Sequence, residues 1–185
     1  MNPVLIAFFT LILLLLAYFV FRLVVRKAYR SQAKLDPISS SLQLLVFLCY
    51  FCFPYLFAPP TWPWFWRIEG PAPTWLQLIG LVLISLGFMI AFGTMAWFGL
   101  RRALGRHVEG LICQGPYNVS RNPQVLGGYL LVVGTALQWP SLYLLGWVLM
   151  YALIMHWMVS TEEEHLARVF GQAYQDYCAR VPRYL

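Results

Sequence analysis

Long apolar runs alternate with short polar connections along the chain, and the lengths of the runs set the architecture. Pro3 to Val25 is apolar over enough residues to cross about 30 Å of hydrocarbon at about 1.5 Å per residue. Leu42 to Phe57 is a shorter second run; Asp36, Pro37 and Ser39 to Ser41 ahead of it read as a turn and a helix start, and Pro54 is placed to kink it. Thr74 to Leu100 is the longest span. Val125 to Val159 is too long for one span and is interrupted at Gln138, Trp139, Pro140 and Ser141, which predicts two short helices joined as a hairpin. Thr161 to Arg180 places Leu166, Val169, Phe170, Tyr174 and Tyr177 at spacings of three and four, the pattern of an amphipathic helix, and Pro182 stops it. The expected fold is an all-α integral membrane protein with five transmembrane helices, the last two forming the hairpin, plus a cytoplasmic C-terminal amphipathic helix. Residues 1–100 supply the first three spans and 101–185 the remainder of a single structural domain.

Composition agrees: 61% of the 185 residues are hydrophobic and 11% charged, against about a quarter charged in soluble domains. The net charge of +6 does not point to nucleic acid, because the cations cluster beside apolar runs instead of forming a tract with interleaved aromatics. Orientation and contact with lipid headgroups explain them better. Five follow the first span (Arg22, Arg26, Lys27, Arg30, Lys34), one lies in the proline- and tryptophan-rich connection 58–73, four lie in the third connection and three near the C-terminus. Twelve of the thirteen then share one side, which predicts an outer N-terminus and a cytoplasmic C-terminus. The first run has no basic segment before it and no small-residue cleavage site after it, so it reads as a span and not a signal peptide. The four cysteines make no framework; Cys49 and Cys52 sit in an apolar helix as small buried hydrophobes.

Two polar blocks break the apolar pattern. The first is LGRHVEGLICQGPYNVSRNPQVLGG from Leu104 to Gly128, where a strand-like piece leads to a Gly-Pro turn and Pro123 opens the next helix. The helix start offers unpaired N–H groups; a helix cap with a snorkelling Arg121 reads equally well from spacing alone. The second block is Glu162, Glu163 and Glu164, directly after an apolar helix. At the C-terminal end of a helix dipole three carboxylates are misplaced, so they call for a cation: Arg121, a bound ammonium or sulfonium, or a metal. No metal-ligand spacing accompanies them, although His156 and His165 are near. His156 lies within an apolar run, where an ionisable residue is either a packing group or functional. Gly80, Gly87 and Thr94 recur every seven residues with Ala91 near the same face, a stripe that lets another helix approach closely.

Together, GPYNVSRNPQVLGG and TEEEHLARVFGQAYQDYCARVPRYL resemble the isoprenylcysteine carboxyl methyltransferase superfamily, which includes phospholipid N-methyltransferases and many bacterial members. The likeness covers Arg101 to Leu185. It implies a membrane enzyme, in bacteria of the inner membrane, that binds S-adenosylmethionine between the two blocks while the acceptor arrives from the bilayer. Carried over residue by residue, Leu111 and Ile112 match the family's apolar pair, Gly115 and Tyr117 its Gly-x-Tyr, Arg121 and Pro123 its Arg-His-Pro, and Glu162 and Glu163 its acidic pair; Phe170-Gly171 and Tyr174 fix the register. The implied cofactor-binding residues are Leu111, Ile112, Gly115, Tyr117, Asn122, Pro123 and Glu162, and the candidate catalytic ones are Arg121, Glu163 and, from its place in the apolar run and not from the resemblance, His156, with no metal. The chain departs from the family at Asn122 (usually His), Val125 (Tyr) and Glu109 (often His). Met158 replaces a substrate-associated Arg of the prenylcysteine enzymes, which weighs against a prenylcysteine carboxylate.

Methyl transfer from a sulfonium asks the protein mainly to position donor and acceptor and to exclude water. The faces of Tyr117 or Trp157 are suited to a sulfonium by cation–π attraction. A pocket walled by Leu, Val, Met and Trp favours a lipophilic or lipid acceptor, arriving between the third or fourth helix and the fifth, where Gly127, Gly128 and Gly134 thin the fourth. The rivals are a phospholipid N-methyltransferase and, from another class, a non-catalytic membrane scaffold or ligand-binding protein that retains the fold.

Overall fold

A computed structural model describes residues 2–32, 35–57, 74–98 and 110–185. The tryptophan-rich connection, Lys34 and the first half of the third connection, with Arg101, Arg102, Arg106, His107 and Glu109, lie outside the described residues. Six helices carry the described chain. Helix α1 runs Pro3–Tyr18, continues through a π-type stretch Phe19–Val25 and ends with Arg26–Gln32; Asn2 caps it, its side chain accepting from the Val4 N–H at 2.9 Å. Helix α2 is Pro37–Cys52 with a 3₁₀ turn Phe53–Leu56 at its end, α3 is Trp75–Phe98, α4 Pro123–Gln138, α5 Leu142–Phe170 and α6 Gln172–Arg180.

Four helices, α1, α2, α3 and α5, are long and apolar enough to cross a membrane. The expected fifth span is corrected. Helix α4 has 16 residues, about 24 Å at about 1.5 Å each, short of a roughly 30 Å hydrocarbon core. The hairpin itself is present: Ser141 caps α5 by accepting from the Leu144 N–H at 3.2 Å, three residues after α4 ends at Gln138. A second correction concerns the C-terminal helix. Thr161 to Phe170 is not its beginning but the uninterrupted continuation of α5, which runs 29 residues. The break falls at Gly171, whose φ of +51° suits glycine, and only Gln172–Arg180 forms the separate amphipathic helix.

The glycine stripe on α3 has a partner. A Cβ at Gly87 would stand 2.6 Å from the Gly127 carbonyl oxygen, and one at Gly80 2.7 Å from that of Gly134. The contacts repeat at seven residues on both helices in opposite directions, so α3 and α4 cross backbone to backbone in antiparallel fashion. The expected thinning of α4 for lateral access is therefore filled. Gly127 and Gly134 carry the α3 backbone, and a Cβ on Gly128 would run into the Tyr151 hydroxyl.

Elsewhere α2 and α5 are clamped by Tyr50 and Trp147. Their rings stack with centroids 5.1 Å apart, and each donates to the other's backbone carbonyl at 3.1 Å. Outward positions such as Leu11, Leu15, Leu44, Val82 and Leu149 are as apolar as the core, as a lipid solvent permits. The π-type stretch of α1 also has a neighbour: the Phe21 carbonyl lies 3.1 Å from the Thr161 hydroxyl of α5, which accepts from Arg22 at 3.3 Å.

Candidate active site

At one end of the bundle the chain returns on itself. The 3₁₀ turn Gly115–Asn118 leads into α4, and the C-terminal segment after α6 lies against it. The Arg121 N–H donates to the Pro182 carbonyl at 2.9 Å, the Asn122 side-chain amide to the Arg183 carbonyl at 3.1 Å, and the Ser120 hydroxyl to the same carbonyl at 3.3 Å. Tyr177 donates to the Tyr117 carbonyl at 2.7 Å. Asn122, at the position where the resemblance departs from histidine, thus uses its amide to hold the C-terminal segment. Pro123 is buried at the first turn of α4, where its missing N–H costs nothing.

Gly115 is required twice over. Its φ is +59°, and a Cβ would meet the Trp97 ring at 2.7 Å, so the turn lies flat against the end of α3. Tyr117 follows, half-buried, its ring 6.2 Å from that of Trp97. Burial pushes the Tyr117 hydroxyl well above its ordinary pKa, and the Glu162 carboxylate adds to the shift. Leu111 packs with Phe170 against Tyr174, Tyr177 and Val181, and Ile112 is half-buried beside it in sequence.

The three glutamates have three different fates. Because α5 continues past them, they sit within a helix and not at its negative end, so the dipole argument is corrected. The expectation of cationic partners stands for two of them. Glu163 pairs with Arg121 at 3.0 Å and with Arg183 in a close contact, its side chain 13% exposed. Glu164 pairs with Arg22 at 2.9 Å and Arg26 at 2.6 Å on α1. Glu162 has no ion pair among the described residues. Successive residues on a helix are about 100° apart, which sends the three carboxylates to three faces.

Arg121 donates to the Cys178 sulfur as well as pairing with Glu163, and its Nε is buried without a hydrogen-bond partner. Glu163 also raises the pKa of Arg183, chiefly through the hydrogen bond between them. His156 stands apart: it is exposed on α5, about two turns before Glu163, and makes no polar contact among the described residues. Trp157 packs edge-on against Tyr18, centroids 5.4 Å apart. Arg183, Cys178, Ser120 and Trp97 were not legible as site residues. Their one forewarning was a run of carboxylates with no local cation.

The fold and this charged end define an all-α protein of the integral membrane class, with four helices among the described residues long and apolar enough to cross a bilayer and a polar site built on the return of its C-terminal segment. The chain belongs to the phospholipid methyltransferase family, whose model matches residues 75–173, within the superfamily that also holds the isoprenylcysteine carboxyl methyltransferases. No curated protein and no solved structure matches it. Members of the family take their methyl group from S-adenosylmethionine.

Proposed function

We propose that the protein is an S-adenosylmethionine-dependent methyltransferase acting on a lipophilic acceptor within the membrane. The observation that carries this reading is the unequal use of the glutamates: among the described residues, Glu163 and Glu164 are each held by two arginines, whereas Glu162 has no cationic partner. The residues present fit the cofactor. Glu162 offers a carboxylate for its ammonium group, Tyr117 and Trp97 offer aromatic faces for a cation, and Gly115 keeps the turn flat against Trp97. When bound, S-adenosylmethionine supplies an activated methyl group on a sulfonium. The chain's own work is to hold donor and acceptor in line and to keep water away. Glu163, paired with two guanidinium groups, acts here as a positioning residue, and its Oε1 and the Arg121 Nε are buried without a hydrogen-bond partner among the described residues. His156 remains the candidate proton acceptor should the acceptor be an amine or thiol.

Glu162→Gln is expected to weaken S-adenosylhomocysteine binding by about 1.5–3 kcal/mol, the range for a hydrogen bond to a charged group, without lowering thermal stability. Calorimetric titration in detergent reads this directly, and equal affinity in a folded variant removes Glu162 from the site.

The acceptor is a membrane-soluble molecule, since the helices around the site are apolar and binding must draw on buried area at about 25 cal/mol per Å². N-methylation of a phospholipid is the second reading, favoured by the family whose model matches the chain. With radiolabelled methyl donor, the purified protein should label a component of a lipid extract faster than any small hydrophilic amine or acid. The opposite ranking under matched detergent conditions excludes a lipophilic acceptor.

A further inference from the structure

Helix α5 carries a second polar stripe. Thr161, Glu164, His165 and Arg168 stand at i, i+3, i+4 and i+7, on a different face from Glu162 and Glu163, and they meet the basic end of α1. Between the two helices lies a cavity of about 390 Å³ lined chiefly by Arg26, Tyr29, Arg30, Glu164, His165 and Arg168. Three guanidinium groups face one carboxylate, an excess of two positive charges. Glu164 is taken up by Arg22 and Arg26, and Arg168 donates to the Tyr29 carbonyl at 3.0 Å. Arg30 makes no hydrogen bond or ion pair among the described residues.

His165 adds an independent observation. It is 3% exposed and stacked on Tyr29, with ring centroids 4.1 Å apart. Its Nδ1 lies 3.4 Å from an Arg168 nitrogen. A guanidinium only donates, so Nδ1 must accept and the ring proton sits on Nε2. That Nε2 is buried and has no partner. A buried donor without an acceptor is costly, and the three guanidinium groups lining the cavity can only donate.

We propose that this cavity binds a phosphate group, that of an anionic phospholipid drawn from the adjoining leaflet. Guanidinium forks match the paired oxygens of a phosphate, and an excess of charge in a partly desolvated cleft concentrates anions. The cleft opens where the cations of α1 follow its apolar run, the depth at which a headgroup lies. The site is separate from Glu162 and does not depend on methyl transfer.

The test uses the full-length protein in detergent, without methyl donor, titrated with dihexanoyl phosphatidylglycerol and, separately, with inorganic phosphate. Arg30→Gln changes an exposed side chain that holds nothing else, so the fold is unaffected; Arg168→Gln is the second variant, and Arg180→Gln on α6 is the charge control. Loss of one charge-assisted contact should weaken binding of the short lipid by about tenfold in each of the first two and leave Arg180→Gln at wild-type affinity. Inorganic phosphate binding as tightly, with the same dependence on Arg30, keeps the site and assigns it to a soluble phosphate. Equal lipid affinity in Arg30→Gln and wild type, or an equal loss in Arg180→Gln, overturns the proposal.

Discussion

Gly127→Leu is expected to abolish recovery of folded protein from the membrane, whereas Gly146→Leu is expected to leave it intact. Both glycines lie within helices, Gly127 buried and Gly146 exposed, and they differ in what stands opposite. A Cβ at Gly127 would lie 2.6 Å from the Ala91 backbone nitrogen and 2.9 Å from the Gly87 carbonyl oxygen, while one at Gly146 meets nothing within 4 Å among the described residues. A side chain can rotate away from an intruding atom; the backbone of α3 cannot. Overpacking typically costs about 1–3 kcal/mol, and this contact, between backbones and repeated a few turns away at Gly80 and Gly134, belongs at or above the upper end. Helix α4 is too short to hold itself across the bilayer, so losing its seat on α3 also displaces Pro123, Asn122 and Arg121 at its start. Size-exclusion profiles and thermal unfolding of the two variants check this. Comparable melting temperatures for both would show that the α3–α4 crossing is not what seats the hairpin.

Glu163→Ala is the second large effect. Arg121 is 15% exposed and Glu163 13%, so removing the carboxylate strands a guanidinium in a largely desolvated place. Breaking a buried pair from one side costs about 3–5 kcal/mol. Arg183, at 39% exposure, is partly repaid by water and contributes little of that, so Arg183→Gln should be much milder. The Glu163→Ala variant should melt lower and become sensitive to protease after Gly171, because the segment that Glu163 gathers through Arg183 loses its anchor beside Ser120 and Asn122. An unchanged melting temperature, or protection from protease equal to that of the wild type, rules this role out. Loss of activity alone would not distinguish anchoring from catalysis; the protease pattern does.

Near neighbours along the chain determine much of this protein. The lengths of the apolar runs marked the four helices that can span a membrane, since a span needs only residues contiguous in sequence, but they also suggested a fifth, which proved too short. The seven-residue recurrence of Gly80 and Gly87 announced a close helix contact, because a stripe is a property of one helix. The two polar blocks were enough to indicate the methyltransferase superfamily, and the matching family model covers both the glycine stripe and the glutamates. Other features needed the tertiary structure. Whether α5 stops at Thr161 or runs on to Phe170 could not be read locally: the three glutamates looked like an interruption until the arginines that neutralise two of them were brought near. Arg26 reaches Glu164 across 138 residues, and Arg183 returns to Glu163 across 20 residues that include a helix break. Spacing along a chain carries no record of such meetings. That leaves Glu162 as the one acidic member of the run without a cation among the described residues, a distinction absent from three identical residues in a row and created only by the different faces to which a helix turns them.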